Sequence, residues 1–96
     1  MSDRAADRAD EAKRVATATE VLARHNIPAT TREFRLRQEF FRHGWDVRVR
    51  DDGGIWSVRA VKPERADIDV HAATEGDVLR LALAQVFTND EAARST

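Results

Sequence analysis

Residues 45–61, WDVRVRDDGGIWSVRAV, can satisfy their own pattern in few ways other than two paired strands. Trp45, Val47 and Val49 alternate with Asp46, Arg48 and Arg50; past a turn, Trp56, Val58 and Ala60 alternate with Ser57 and Arg59. Strand side chains point to opposite faces with period two, so each run has one apolar face. Asp52-Gly53 reads as the two-residue loop, because a type I′ turn needs positive φ at both central positions. With that loop Val49 faces Trp56, Val47 faces Val58 and Trp45 faces Ala60, while Asp46 meets Arg59 on the polar side. Both tryptophans then belong to the core.

The flanking segments extend this hairpin into a domain. Lys62-Pro63-Glu64-Arg65 is a polar connection, and Ile68, Val70 and Ala72 alternate with Asp67, Asp69 and His71 as a third strand at an edge. Thr74 caps a last helix whose first turn carries Glu75 and Asp77, where the helix dipole favours acids. Val78, Leu79, Leu81, Ala82, Leu83, Ala84, Val86 and Phe87 leave only Asp77, Arg80 and Gln85 on a polar side, so this is the core helix. Upstream, residues 10–25 form a thinly amphipathic helix through Val15, Ala18, Val21 and Leu22, stopped by Asn26 and Pro28. Thr30 and Glu33 fit a capping box for a second helix whose apolar face is Phe34, Leu36, Phe40 and Phe41 and whose other face is basic through Arg32, Arg35, Arg37 and Arg42, closed by His43-Gly44.

The expected fold is α+β: two N-terminal helices, a three-stranded antiparallel β-meander, and a C-terminal helix packed on one sheet face (α-α-β-β-β-α). A single domain spans residues 10–87, between a disordered stretch at 1–9 and a polar, disordered tail at 88–96. A chain of 96 residues has room for one modest core.

Composition narrows the function classes. The apolar run at 78–87 falls far short of the ~20 residues of a membrane span. MSDRAADRAD mixes acids with arginines and has no apolar stretch of the kind a secretory signal needs. With no cysteine there is neither a disulfide framework nor a thiol nucleophile, and a cytoplasmic protein without membrane contact is expected. The net charge of −1 hides an uneven distribution: residues 1–31 are neutral, 32–65 carry +3 and 66–96 carry −4.

No catalytic constellation emerges. His25, His43 and His71 lack the short spacing of a zinc site and read as solvent-side residues. Gly44, Gly53, Gly54 and Gly76 have turn or cap roles, not those of a phosphate loop, and Ser57 has no nucleophile-elbow context. Asp51-Asp52 belongs to the hairpin turn and lacks the further ligands of a calcium loop. The expectation is a protein that is not an enzyme and needs neither cofactor nor metal.

Two surfaces remain. Arg32, Arg35, Arg37 and Arg42 on the second helix, with Arg48, Arg50 and Arg59 on one sheet face, are candidate nucleic-acid contacts, since phosphate neutralisation is the main source of such affinity. The sheet face also carries Asp46, Asp67 and Asp69, so its sign is mixed and a solvated, ion-paired face is the favoured reading there. On the last helix, Leu79, Leu83, Val86 and Phe87 are candidate interface residues, because that helix is apolar on more sides than one sheet face can cover, so either the first two helices or a second copy must cover the rest.

The order helix–strand–strand–strand–helix over residues 31–87 resembles the double-stranded-RNA-binding-domain fold. That resemblance implies phosphate contacts from a lysine cluster at the start of the last helix, where this chain has Thr74-Glu75-Gly76-Asp77-Val78. Residues 51–87, DDGGIWSVRAV…DIDVHAATEGDVLRLALAQVF, are also similar to the small domain of HicB-type antitoxins. This second resemblance implies a domain that covers a partner protein. Taken together, the expected function is that of a small regulatory protein acting through contacts with an unidentified protein or a second copy of itself. A nucleic-acid-binding module is the alternative.

Overall fold

The computed structural model describes residues 3–94. Three helices, α1 (Asp3–Arg24), α2 (Glu33–Arg42) and α3 (Glu75–Arg94), accompany one antiparallel sheet of β1 (Asp46–Asp52), β2 (Ile55–Val61) and β3 (Ile68–Ala72) in the order β1-β2-β3. The architecture is the expected α-α-β-β-β-α meander with α3 packed on the sheet. No helix among the described residues is long and apolar enough to cross a membrane.

The first two helices end in the same way. Past α1, Asn26 turns left-handed (φ 65°), its N–H donates to the Ala23 carbonyl at 3.1 Å, and the Ile27 N–H reaches back to Leu22 at 3.0 Å. Past α2, Gly44 (φ 79°) and Trp45 repeat those bonds to Phe41 (3.1 Å) and Phe40 (2.9 Å). These are Schellman motifs, and the residue after each left-handed turn is apolar. Ile27 and Trp45 are thereby delivered into the core, where both are buried.

α3 is the centre of that core. Val78, Leu79, Ala82, Leu83, Val86 and Phe87 meet Val58, Ala60, Ile68 and Ala72 from the sheet, Leu36 and Phe40 from α2, and Ala18 and Leu22 from α1. Thr74 caps it as expected, its Oγ1 accepting from the Asp77 amide at 3.2 Å. α1 lies along α3 in the same direction: Glu11 accepts from the Ala73 amide beside the start of α3, and His25 meets Glu91 near its end.

Several expectations are corrected. α1 starts by Asp3, so residues 3–9 are helical where disorder was expected; residues 1 and 2 lie outside the described residues. α3 likewise continues through residues 88–94 of the expected tail, because Asp90 is held inside by partners far away in sequence; residues 95 and 96 are outside the described residues. The capping box does not form. Arg32 takes the N-cap position of α2 without a side-chain bond, and Thr31, not Thr30, makes a local bond, from its hydroxyl to the Pro28 carbonyl at 2.7 Å. The turn that ends on Thr31 (Thr31 N–H to Pro28 at 3.0 Å) delays the helix past the reach of Thr30.

The hairpin register also differs from the expected one. The loop is Gly53-Gly54, both with positive φ (63° and 96°), so Val49 faces Val58, Val47 faces Ala60 and Arg48 faces Arg59. Two glycines meet the type I′ demand at both positions, whereas Asp52 would meet it only with strain. The displacement is two residues, which preserves every face because the side-chain period is two. It does abolish the Asp46–Arg59 pairing: Asp46 lies opposite Val61, and Arg59 bonds Asp67 at 3.1 Å. Trp45 is fully buried, while Trp56, opposite Asp51, is partly covered at the edge of the core. A Cβ at Gly54 would meet nothing within 4 Å, so Gly54→Ala isolates backbone strain. It is expected to lower unfolding free energy by about 1 kcal/mol in a urea titration, and no loss at all would remove the turn assignment.

Candidate functional site: a basic, aromatic cleft beside α2

α2 carries two apolar stripes. Leu36 and Phe40 point inward and are buried, whereas Phe34 and Phe41, seven residues apart, share the outer face and are each 62% exposed. At about 100° per residue, positions 34 and 41 lie within roughly 20° of each other and far from 36 and 40. Arg35, Gln38 and Arg42 are exposed on the same outer side.

Beside this face the chain from His25 to Arg32 returns along α3 and leaves a cleft of about 790 Å³ between itself and α2. The returning segment is pinned from below: Nη2 of Arg80 donates to the carbonyls of Ala29 (2.9 Å) and Thr31 (3.0 Å). Gly76 leaves space for that guanidinium, since a Cβ there would sit 2.8 Å from Arg80 Nη1.

Aromatic rings form the cleft floor. His25 stacks on Phe87 with centroids 4.1 Å apart and planes 6° from parallel, and His43 meets the same ring edge-on at 4.9 Å. His25 Nε2 is 2.9 Å from Glu91 Oε1. The expectation of solvent-side histidines is thus corrected for two of the three: His25 and His43 are half-buried against Phe87, and only His71 is exposed on the outer sheet face. Pro28, Ile27 and Phe34 form the walls, and Arg32, Arg35, Arg42 and Glu39 the rim.

The seven arginines singled out from sequence do not form one surface. Arg37 pairs with Glu75, and Arg42 with Glu39 at 3.1 Å. Arg50 pairs with Asp52 at 3.3 Å and Arg59 with Asp67 at 3.1 Å. The sheet turns its apolar face to the helices, so Arg48 and Arg59 project to the side opposite α2. Among the described residues Arg32, Arg35 and Arg48 make no ion pair, and of these Arg32 and Arg35 stand at the cleft.

The expected interface residues are corrected too. Leu79, Leu83, Val86 and Phe87 are buried inside the chain, because α1 and α2 cover the part of α3 that the sheet leaves bare. Among the described residues the exposed large apolar side chains are instead Phe34, Phe41 and Ile55. The single apolar face expected of Phe34, Leu36, Phe40 and Phe41 is corrected as well: only Leu36 and Phe40 are buried, and Phe34 and Phe41 lie on the outer side, as a helical period of 3.6 requires of positions seven apart. The cleft was not readable from the sequence, because its two walls and floor come from separate segments. Among the described residues no group of three or more His, Cys, Asp or Glu is placed to hold a metal ion.

The chain was compared with protein-family models, with curated proteins and with solved structures, and none matches it.

Proposed function

We propose that this chain is a small, non-enzymatic regulatory protein of the cytoplasm that acts through protein contacts, and that its contact surface is the outer face of α2 with the adjoining cleft. The observation that carries this reading is the pair Phe34 and Phe41, exposed together on one helix face in a chain that buries Leu36 and Phe40 one step away. Covering a phenylalanine fully contributes about 1.5–3 kcal/mol, so a partner that covers both gains a substantial share of a binding free energy. The concave, ring-floored cleft beside them suits a projecting side chain.

The nucleic-acid reading draws support from Arg32 and Arg35 flanking the exposed ring of Phe34. It is weaker because most of the remaining arginines are paired to carboxylates and the sheet arginines face away. Phe34→Ser with Phe41→Ser tests the preferred reading. The double variant is expected to keep wild-type stability within about 0.5 kcal/mol, as surface changes do. It is also expected to lose the protein partners that crosslink to α2 of the wild-type chain. An unchanged set of crosslinked partners would remove the surface assignment.

A further inference from the structure

We infer that the cleft beside α2 receives an acidic segment of a partner protein, seating a bulky apolar side chain on the ring floor while flanking carboxylates meet Arg32 and Arg35. This rests on the protein-contact reading above and names its partner's chemistry.

The floor combines the His25 ring stacked on Phe87 with His43 set edge-on to the same phenylalanine, a polarisable, ring-lined surface that favours an aromatic or branched aliphatic group. The rim decides the charge. Its one carboxylate, Glu39, is already bonded to Arg42, which leaves two guanidiniums without an ion pair on one side of the opening. A guanidinium presents a planar fork of donors that a carboxylate matches in a bidentate way. The surface is therefore cationic in a chain whose net charge is −1, and the complement is an anion.

A second copy is a poor occupant. A two-fold contact centred on this face would bring two copies of the same cationic rim together. A head-to-tail contact would offer the hairpin tip, where Ile55 is exposed beside Asp51 and Asp52, but Asp52 is held by Arg50 at 3.3 Å and Asp51 accepts from the Gly54 amide at 3.4 Å. A mass of the chain alone that rises with concentration would transfer the site to a second copy. A nucleic acid is a poor occupant as well. Two free guanidiniums neutralise about two phosphates, which supplies little affinity at physiological salt.

The test starts from a random displayed peptide library selected on the full chain. Synthetic fluorescein-labelled copies of the most enriched sequences are titrated by anisotropy, and their contacts mapped by amide chemical shifts. Enriched sequences are expected to place Asp or Glu around Trp, Phe or Leu and to shift the amides of His25, Phe34 and Phe87. Their affinity is expected to fall about tenfold or more for Arg32→Glu with Arg35→Glu, and to be largely kept by Arg32→Lys with Arg35→Lys. Neutral or basic enriched sequences, or equal binding to the Glu variant, overturn the inference; if binding still fails in Phe34→Ser with Phe41→Ser, the α2 surface survives. Peptides that map away from α2, or no enrichment, overturn both. Oligothymidylate or duplex RNA shifting the same amides, where the peptides do not, transfers the site to nucleic acid. Amide spectra of every variant establish that it is folded.

Discussion

Trp45→Ala is expected to cost about 3–5 kcal/mol of unfolding free energy, the range for deleting a large buried aromatic side chain. A domain of this size has only about 5–15 kcal/mol in total, so the variant stands near the edge of folding. Trp45 combines three duties. Its amide closes the end of α2, its ring is 1% exposed in the core, and its Nε1–H points to Asp90 Oδ2 at 3.5 Å. Trp45→Phe separates volume from the hydrogen bond and should cost about 1–2 kcal/mol. Urea titrations followed by far-ultraviolet circular dichroism measure both. A change below about 1 kcal/mol for Trp45→Ala would show that the ring does not occupy the core.

Asp90→Ala is the second large effect, with an expected loss of about 2–3 kcal/mol. Asp90 is 7% exposed, accepts from Arg65 Nε at 3.3 Å and from Trp45, and lies 3.9 Å from Lys62 Nζ. Removing it leaves two cations facing an empty acceptor site. The loss is smaller than for a fully buried pair, because the Arg65 and Lys62 side chains are 26% and 27% exposed and partly solvated. Asp90 also joins the end of α3 to the β2–β3 connection, while Lys62 Nζ donates to the His43 carbonyl at 2.9 Å. Asp90→Asn keeps an acceptor and should lose less than Asp90→Ala. Because Trp45 and Asp90 share a bond, Trp45→Phe with Asp90→Ala should cost less than the two single losses added. Strict additivity would mean that the 3.5 Å contact carries no energy.

How far the sequence carried differs from element to element. Asn26 and Gly44 mark helix ends that the structure places where the residue types demand, because a left-handed turn has a local chemical signature. The faces of β1, β2 and β3 were legible for the same reason: alternation is local. Register was less so, since Asp52-Gly53 and Gly53-Gly54 both satisfy a hairpin loop and differ by strain at one residue. Residues 88–91 carry polar side chains, and nothing near them in sequence announces that Asp90 is drawn inward by Trp45 and Arg65. The candidate interface moved from α3 to α2 because coverage of a helix depends on how many neighbours reach it.

Thus turn chemistry and the two periodicities, 2 and 3.6, specified the element order, the apolar faces and α3 as the core helix; these depend on residues close along the chain. Tertiary packing alone decided which apolar faces stayed uncovered. α1 and α2 pack on α3 and bury Leu79, Leu83, Val86 and Phe87, while Phe34 and Phe41 stay 62% exposed. The cleft is a tertiary product as well. Arg80 holds the returning chain at Ala29 and Thr31, and that bond over about fifty residues of sequence sets Arg32 and Arg35 above the rings of His25, Phe87 and His43.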